Sequence, residues 1–290
     1  MPEDLKTIFN VLVLVFVLAT MFGLGLDLTV RRIYTPLRDR GLVSRALLVN
    51  FVVAPVLAYA VARLFGLDRE LGTGLFILGV AAGSPMTIKV VQIARGDMAA
   101  TAGLMVLLQV LTILFAPLTL TVLVDDVAVD VLAMTQAMGA TLLLPLALGL
   151  LVTARYPELG ELLGPHIKQA AGITLMLQAA LGLVIGIDDF IDLLDTGALP
   201  AITVFVVAML VVGYLLGGPS AEARVVTSLV SSQRNTSAAL LITIQNFAEP
   251  AIVVMVIIGA ALMMVVGAVA AGELGKRSAV IDASAEALST

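Results

Sequence analysis

The sequence predicts an all-α integral membrane protein of nine transmembrane helices, two of them broken in mid-span. Three observations carry this reading. The chain has 290 residues, of which 60% are hydrophobic and only 13% charged, and its mean hydropathy is +1.11. A soluble protein of this length needs far more polar surface. Apolar runs recur at about the 20 residues that a helix needs to cross the hydrocarbon core. Two of these runs are interrupted by polar stretches that each carry one cation: Gly83-Ser84-Pro85-Met86-Thr87-Ile88-Lys89 and Ser231-Ser232-Gln233-Arg234-Asn235-Thr236-Ser237.

The predicted spans cover residues 5–28, 46–64, 71–94, 99–124, 131–153, 170–187, 198–216, 225–245 and 252–271. The first has no small-residue cleavage site behind it and reads as a retained span rather than a signal peptide. A basic loop with Arg31, Arg32, Arg38, Arg40 and Arg45 precedes the second. The third contains the first break and closes at the turn Arg95-Gly96-Asp97. The fourth carries Pro117 near its end and is followed by an acidic loop with Asp125, Asp126 and Asp130. The fifth leads into the longest polar loop, from Arg155 to Lys168. The sixth ends at a second acidic loop, Asp188-Asp189-Phe190-Ile191-Asp192. The seventh is closed by Gly217-Gly218-Pro219, and the eighth holds the second break. The tail beyond Arg277 is polar and is expected to fray.

Charge sorts these loops by side. Arg31 to Arg45, Arg95, Arg155 to Lys168, Arg224 and Lys276-Arg277 fall on one side, and the acidic loops on the other. The positive-inside rule then places the N-terminus outside and the C-terminus in the cytoplasm of a multi-pass protein of the cell (inner) membrane. Spans 1 to 4 pair with spans 6 to 9, and the broken spans 3 and 8 run in opposite directions. We therefore expect inverted repeats of four and five spans: residues 1–124, with the broken helix at 71–94, and residues 125–272, with the broken helix at 225–245. A cytoplasmic tail, 273–290, follows. Inverted repeats with a broken helix in each half are the architecture of many secondary transporters, with the site where the breaks cross at the midplane.

Backbone freed by such a break must be buried in protein or line a wet cavity. Arg234 lies deep in its span, where a charge is costly unless paired. It reads either as an anion ligand or built-in countercharge, or as a structural charge capping broken-helix carbonyls. Lys89 stands close enough to Arg95 to snorkel to the surface. Ser84, Thr87, Lys89, Arg234, Asn235 and Thr236 are the candidate substrate-binding residues. Of the span amides Asn50, Gln92, Gln109, Gln178 and Gln233, most are expected to make interhelical hydrogen bonds. Gln109 and Gln233 join Lys89 and Arg234 as candidate ion-site or ion-replacing groups. No catalytic residue and no resident metal is expected: the chain has no Cys and a single His, His166.

The first break with its Ile93-Ala94-Arg95-Gly96-Asp97 turn, the Ala116-Pro117-Leu118 close of span 4 and the Phe51–Tyr59 stretch resemble the bile acid:sodium symporter family. The resemblance implies a core holding two crossing discontinuous helices and a panel of outer helices. It also implies alternating access for an organic anion. The family's Ser-Asn falls on Thr87-Ile88, its sodium-ligand Glu near Val230, its Gln on Arg234 and its span 4 Thr on Gln109, while Asn235 keeps a family Asn that contacts substrate. Most sodium-coordinating oxygens are thus replaced. The expected function is alternating-access transport of a small organic anion with Lys89 and Arg234 standing in for sodium, which is then not required. The alternatives are a sodium-coupled symporter with altered sites, a membrane sensor or channel, and a Mg²⁺-dependent intramembrane prenyltransferase built on the DDxxD-like string at Asp188. The last is disfavoured because its acidic loops fall outside. The expected partners are the anion and the lipid bilayer, not nucleic acid, and the oligomeric state is left open.

Overall fold

The computed structural model describes residues 3–123, 130–185, 187–247 and 249–289, and every regular element among them is helical. The first helix, α1 (Glu3–Asp27), is followed by the short α2 (Val30–Tyr34) and a 3-10 turn. Next come α3 (Arg40–Leu48) and α4 (Ala54–Leu64), joined without a break by a π turn at Val49–Val53. The half-helices α5 (Arg69–Val80) and α6 (Thr87–Ile93) precede α7 (Met98–Leu123). A second π turn at Gly139–Leu143 links α8 (Val131–Met138) to α9 (Leu144–Arg155). Then follow α10 (Pro157–Ile185), α11 (Ile187–Asp195) and α12 (Ala198–Leu216). The chain ends with α13 (Ala221–Ser232), α14 (Thr236–Asn246) and α15 (Pro250–Ser289).

Seven stretches among the described residues are long and apolar enough to cross a membrane: Asp4–Asp27, Arg40–Leu64, Met98–Thr121, Val131–Arg155, Pro157–Ile185, Ala198–Leu216 and Pro250–Lys276. The two runs with polar interruptions are instead divided into the pairs α5/α6 and α13/α14.

Many of the acidic residues between spans are helix caps. Asp39, Asp68 and Asp130 accept hydrogen bonds from the N–H groups of Leu42, Leu71 and Ala133 at the starts of α3, α5 and α8. Asp97 accepts from Ala99 and Ala100 at the start of α7. Each supplies an acceptor to an orphaned donor and negative charge to a helix N-terminus. The Arg95-Gly96-Asp97 turn forms as expected. Arg95 takes a left-handed φ of 55°, and Gly96 N–H bonds back to Val91 O at 3.0 Å, closing α6.

The two π turns have one cause. Pro55 and Pro145 each lack an N–H, and the proline ring crowds the carbonyl four residues back. The helix absorbs this by widening one turn just ahead of the proline.

The structure corrects four sequence expectations. The polar stretch after Arg155 is helix, not loop: Pro157 begins α10, so Glu158, Glu161, His166 and Lys168 lie on a 29-residue helix longer than a membrane needs. The second acidic stretch is helix α11 rather than a loop. The tail continues as helix to Ser289 instead of fraying after Arg277. The first break ends sooner, so that Thr87, Ile88 and Lys89 form the first turn of α6. The Asp125-Asp126 pair lies outside the described residues.

Helix α1 packs along α9 and α10. Gly25 and Gly149 bring the α1 and α9 backbones into direct contact, and a Cβ on either would strike the other helix. Thr153 Oγ1 donates to Leu26 O at 2.9 Å, and a half-exposed ion pair joins Lys168 Nζ to Asp27 Oδ1 at 2.7 Å. The remaining long helices surround the two interrupted pairs, which are buried where they face the breaks, at Leu71–Ser84 apart from Gly72 and at Val225–Thr243 apart from Thr236.

Candidate functional site at the crossed helix breaks

The first break starts where α5 ends. Ala81 turns out of the helix with ψ 86°, and Gly83 takes φ +81°. That left-handed conformation favours glycine. Space demands it as well, because a Cβ on Gly83 would lie 2.6 Å from Met105 O and against the backbone of Gln109 on α7. Thr112 on α7 pins the same segment: its Oγ1 accepts from Ala82 N–H at 3.0 Å and donates to Ala82 O at 3.3 Å. Thr112→Val keeps the shape and removes both bonds. It should lower stability by about 1 kcal/mol, since the break loses its tie to α7 and Ala82 N–H keeps only its turn bond to Val80 O at 3.1 Å. Thermal melts of the purified variant check this, with Thr112→Ser retaining most of the stability.

The second break is three residues long. Gln233 and Asn235 are extended, and Asn235 Oδ1 caps α14 by accepting from Ala238 N–H at 3.0 Å. The two breaks are hydrogen-bonded to each other. Asn235 N–H donates to Ala81 O at 2.8 Å, and Asn235 Nδ2 donates to Gly83 O at 2.9 Å.

Arg234 occupies the crossing. It is 1% exposed and is the one charged side chain buried among the described residues. Its Nε donates to Leu78 O at 2.9 Å and its Nη2 to Gly79 O at 2.6 Å. Its Nη1 donates to Asn50 Oδ1 at 2.6 Å and to Ser231 O at 3.2 Å. Leu78 and Gly79 belong to the last turn of α5, and Ser231 to the last turn of α13. Their carbonyls have no partner inside their own helices. Two helix C-termini thus aim partial negative charge at one point, and a guanidinium with five N–H groups meets it with four bonds. Asn50 is held in turn: its Nδ2 donates to Ala46 O at 2.9 Å and to Ser231 Oγ at 3.0 Å.

The other predicted residues divide into two sets. Ser84 and Thr87 are buried at the first break, and Thr87 Oγ1 has no partner. Gln109 is buried on α7, with Nε2 donating to Met21 Sδ of α1 at 2.7 Å and Oε1 without a partner. Thr236 is half-buried at the start of α14. The remaining two do not join the cluster. Lys89 is exposed on α6, and its ammonium makes no hydrogen bond or ion pair with a described residue. It is therefore not a buried charge in an ion site, because the helix turns it away from the crossing. Gln233 is buried but turned toward α15, where Nε2 donates to Met263 O at 3.0 Å and rests against Gly267.

Three residues central to the site carried too little weight in the sequence: Asn50, Thr112 and Ser231. Asn50 had a signal, an amide in an apolar run just ahead of Pro55. Thr112 had none, because a threonine on a membrane helix most often bonds its own backbone. Among the described residues no group of three or more His, Cys, Asp or Glu side chains is placed to hold a metal.

Comparison with known proteins bears directly on this arrangement. The model of the Sodium Bile acid symporter family matches residues 12–193, well over half of the chain and inclusive of the first break. The chain belongs to the sodium bile acid symporter family. Among curated proteins it is similar to the "Probable sodium/metabolite cotransporter BASS3, chloroplastic" of Arabidopsis thaliana, with 25% identity over 146 residues, which is 50% of this chain and 34% of that protein. It is also similar to the "Probable sodium/metabolite cotransporter BASS1, chloroplastic" of the same plant, with 25% identity over 147 residues, covering 50% of this chain and 37% of that protein. The match thus spans little more than a third of the length of either relative. Members of the sodium bile acid symporter family are membrane transporters, not enzymes, which disposes of the prenyltransferase reading. The second break, with Arg234, lies beyond the residues that the family model matches.

Proposed function

We propose that this chain is a secondary transporter of a small organic anion, working by alternating access, and that Arg234 takes the place of a coupling sodium ion. The observation that carries the reading is the donor set around Arg234. Three backbone carbonyls and the Asn50 amide oxygen converge on one buried cation. An all-oxygen shell of this kind is what a hard monovalent cation needs, and the guanidinium already fills it. A sodium ion at the same point meets a fixed like charge in a low-dielectric interior, where repulsion is strong.

In this reading the ion-replacing role rests on Arg234 alone, and exposed Lys89 is left out of it. Asn235 ties the breaks together, and Ser84, Thr87, Gln109 and Thr236 remain the candidate contacts for the anion. Among these, Thr87 and Gln109 offer buried polar atoms without protein partners. The architecture we propose is nine spans in two inverted repeats, residues 1–124 and 125–272, with a tail at 273–290. Helices α1, α9 and α10 serve as the moving panel. The N-terminus lies outside the cell (inner) membrane and the C-terminus in the cytoplasm.

The similar chloroplast proteins are named sodium/metabolite cotransporters, which favours a second reading, sodium-coupled symport with altered sites. Uptake of a labelled organic anion into proteoliposomes decides between them. We expect the same initial rate in sodium and in choline buffers. A steep sodium dependence in the unmodified protein sinks the Arg234 reading and leaves the symporter.

A further inference from the structure

The turn between α12 and α13 draws two guanidiniums together with no acid to balance them. Gly217 and Gly218 form this turn, and Gly218 takes φ +119°. Arg224 Nε, from the start of α13, donates to Gly218 O at 2.7 Å. Arg45 of α3 closes on the same residue: a Cβ on Gly218 would stand 2.5 Å from its Nη1. Both arginines are half-buried. Apart from the bond to Gly218 O, neither guanidinium makes a hydrogen bond or ion pair with a described residue. The acids nearest to them in sequence, Asp39 and Glu222, are exposed and pair with neither, and Asp39 caps α3 instead. Two like charges held at one glycine repel each other unless an anion lies between them. Guanidinium forks match the oxygens of a phosphate.

The neighbouring surface indicates where the phosphate comes from. Arg45 stands near the start of the apolar stretch Arg40–Leu64, and the stretch Ala198–Leu216 ends just before Gly217. Leu48, on the turn of α3 after Arg45, is 47% exposed, and Leu215 at the end of α12 is 71% exposed. Helix α12 packs against α4 and the π turn that continues α3, so these leucines belong to adjacent helices. The apolar surface open to lipid tails thus ends at the two arginines. A phospholipid fits this order, with its head group on the arginines and its chains along the leucines. A zwitterionic head group would bring a third cation to the pair, which favours an anionic one.

The same helices meet again deeper in the molecule. α3 and α13 pack together, and Asn50 Oδ1, just past α3, and Ser231 O, near the end of α13, both accept from Arg234. Drawing Arg45 and Arg224 together at one end therefore supports the helix pair that holds Arg234 at the other.

We propose that Arg45 and Arg224 bind the phosphate of an anionic phospholipid, which clamps α3 to α13. The orientation proposed above puts this lipid in the cytoplasmic leaflet, on the side that the basic loops share.

The full-length protein is melted in nanodiscs of phosphatidylcholine alone and of phosphatidylcholine mixed with phosphatidylglycerol. Native mass spectrometry from neutral detergent then counts the lipids retained. We expect a higher melting temperature with phosphatidylglycerol, and one such lipid retained in preference to phosphatidylcholine. Arg45→Gln and Arg224→Gln should each remove the gain and weaken retention roughly five- to ten-fold. In phosphatidylcholine alone, Arg45→Gln should melt no lower than the parent, because the repulsion at Gly218 is relieved. A lower melt there makes Arg45 a structural strut and overturns its role as a lipid ligand. The double variant Arg31→Gln, Arg32→Gln removes two exposed charges from the same basic loop and should leave gain and retention unchanged. If it weakens retention as much as Arg45→Gln does, the attraction is a diffuse field and the site is overturned. A gain that survives Arg45→Gln overturns it too. Inorganic phosphate added to the phosphatidylcholine nanodiscs separates the sources: an equal rise in melting temperature, lost in Arg45→Gln, makes this a site for free phosphate and overturns the lipid.

Discussion

If Arg234 stands in for sodium as proposed, replacing it by glutamine should make the protein sodium-dependent. The substitution withdraws the cation and leaves the carbonyls of Leu78, Gly79 and Ser231 and the Asn50 oxygen facing one another. In sodium-free buffer those acceptors are buried without a donor, at about 1–3 kcal/mol for each one left unmet. We expect a large loss of stability and transport in choline chloride. A small oxygen-seeking cation restores the balance. Sodium at a concentration well above its dissociation constant should recover about 2–3 kcal/mol by mass action, and so raise the melting temperature by several degrees, at about 2–4 °C per kcal/mol. Arg234→Leu is the control: it fills the space with hydrocarbon, and sodium should not help. If Arg234→Gln melts and transports alike in sodium and in choline, the donor set is not a cation site. Arg234→Lys should fall between, since one ammonium nitrogen with three protons cannot serve four separated acceptors.

The second large effect is at Gly83. Gly83→Ala should abolish transport and cost more than about 3 kcal/mol of stability. The left-handed conformation at φ +81° contributes about 1 kcal/mol of this. The larger share is steric: the new methyl meets Met105 O and the backbone of Gln109, which belong to a rigid helix and not to a flexible side-chain end. Relief requires the first break to lift off α7. That movement strips the Thr112 bond from Ala82 and displaces Gly83 O from Asn235 Nδ2. The crossing should therefore fail as a unit. A Gly83→Ala variant with a near-native melting temperature and normal flux shows that the break is not held against α7 in this way. Hydrogen exchange at the Asn235 and Ala82 amides, fast in the variant and slow in the parent, locates the failure.

Much of the fold was legible before any coordinate. The seven long apolar stretches and the two interrupted ones follow from hydropathy alone, because a bilayer admits few other solutions. The turn at Arg95 was also readable, since glycine and a capping aspartate sit in sequence order. The helical character of residues 157–168 and 187–195 was not. Polar residues there suggest loop, yet Pro157 starts a helix as well as any residue can, and nothing before the membrane stops it.

Of the site, the sequence by itself determined the two breaks and the burial of Arg234 in its apolar run. These are local properties, set by glycine, proline and the cost of a charge in an apolar run. What the cation touches was decided by the tertiary structure alone. Leu78 O and Asn50 Oδ1 are 156 and 184 residues away in sequence from Arg234, and carbonyl acceptors leave no mark in a residue string. Each break carries one cation, and the sequence leaves Lys89, but not Arg234, the option of snorkelling to the surface. Helix rotation separates them: the first turn of α6 turns Lys89 outward, while the extended backbone between α13 and α14 points Arg234 into the crossing. Rotation about a helix axis depends on which face the neighbouring helices cover, and that is settled only when the whole chain is packed.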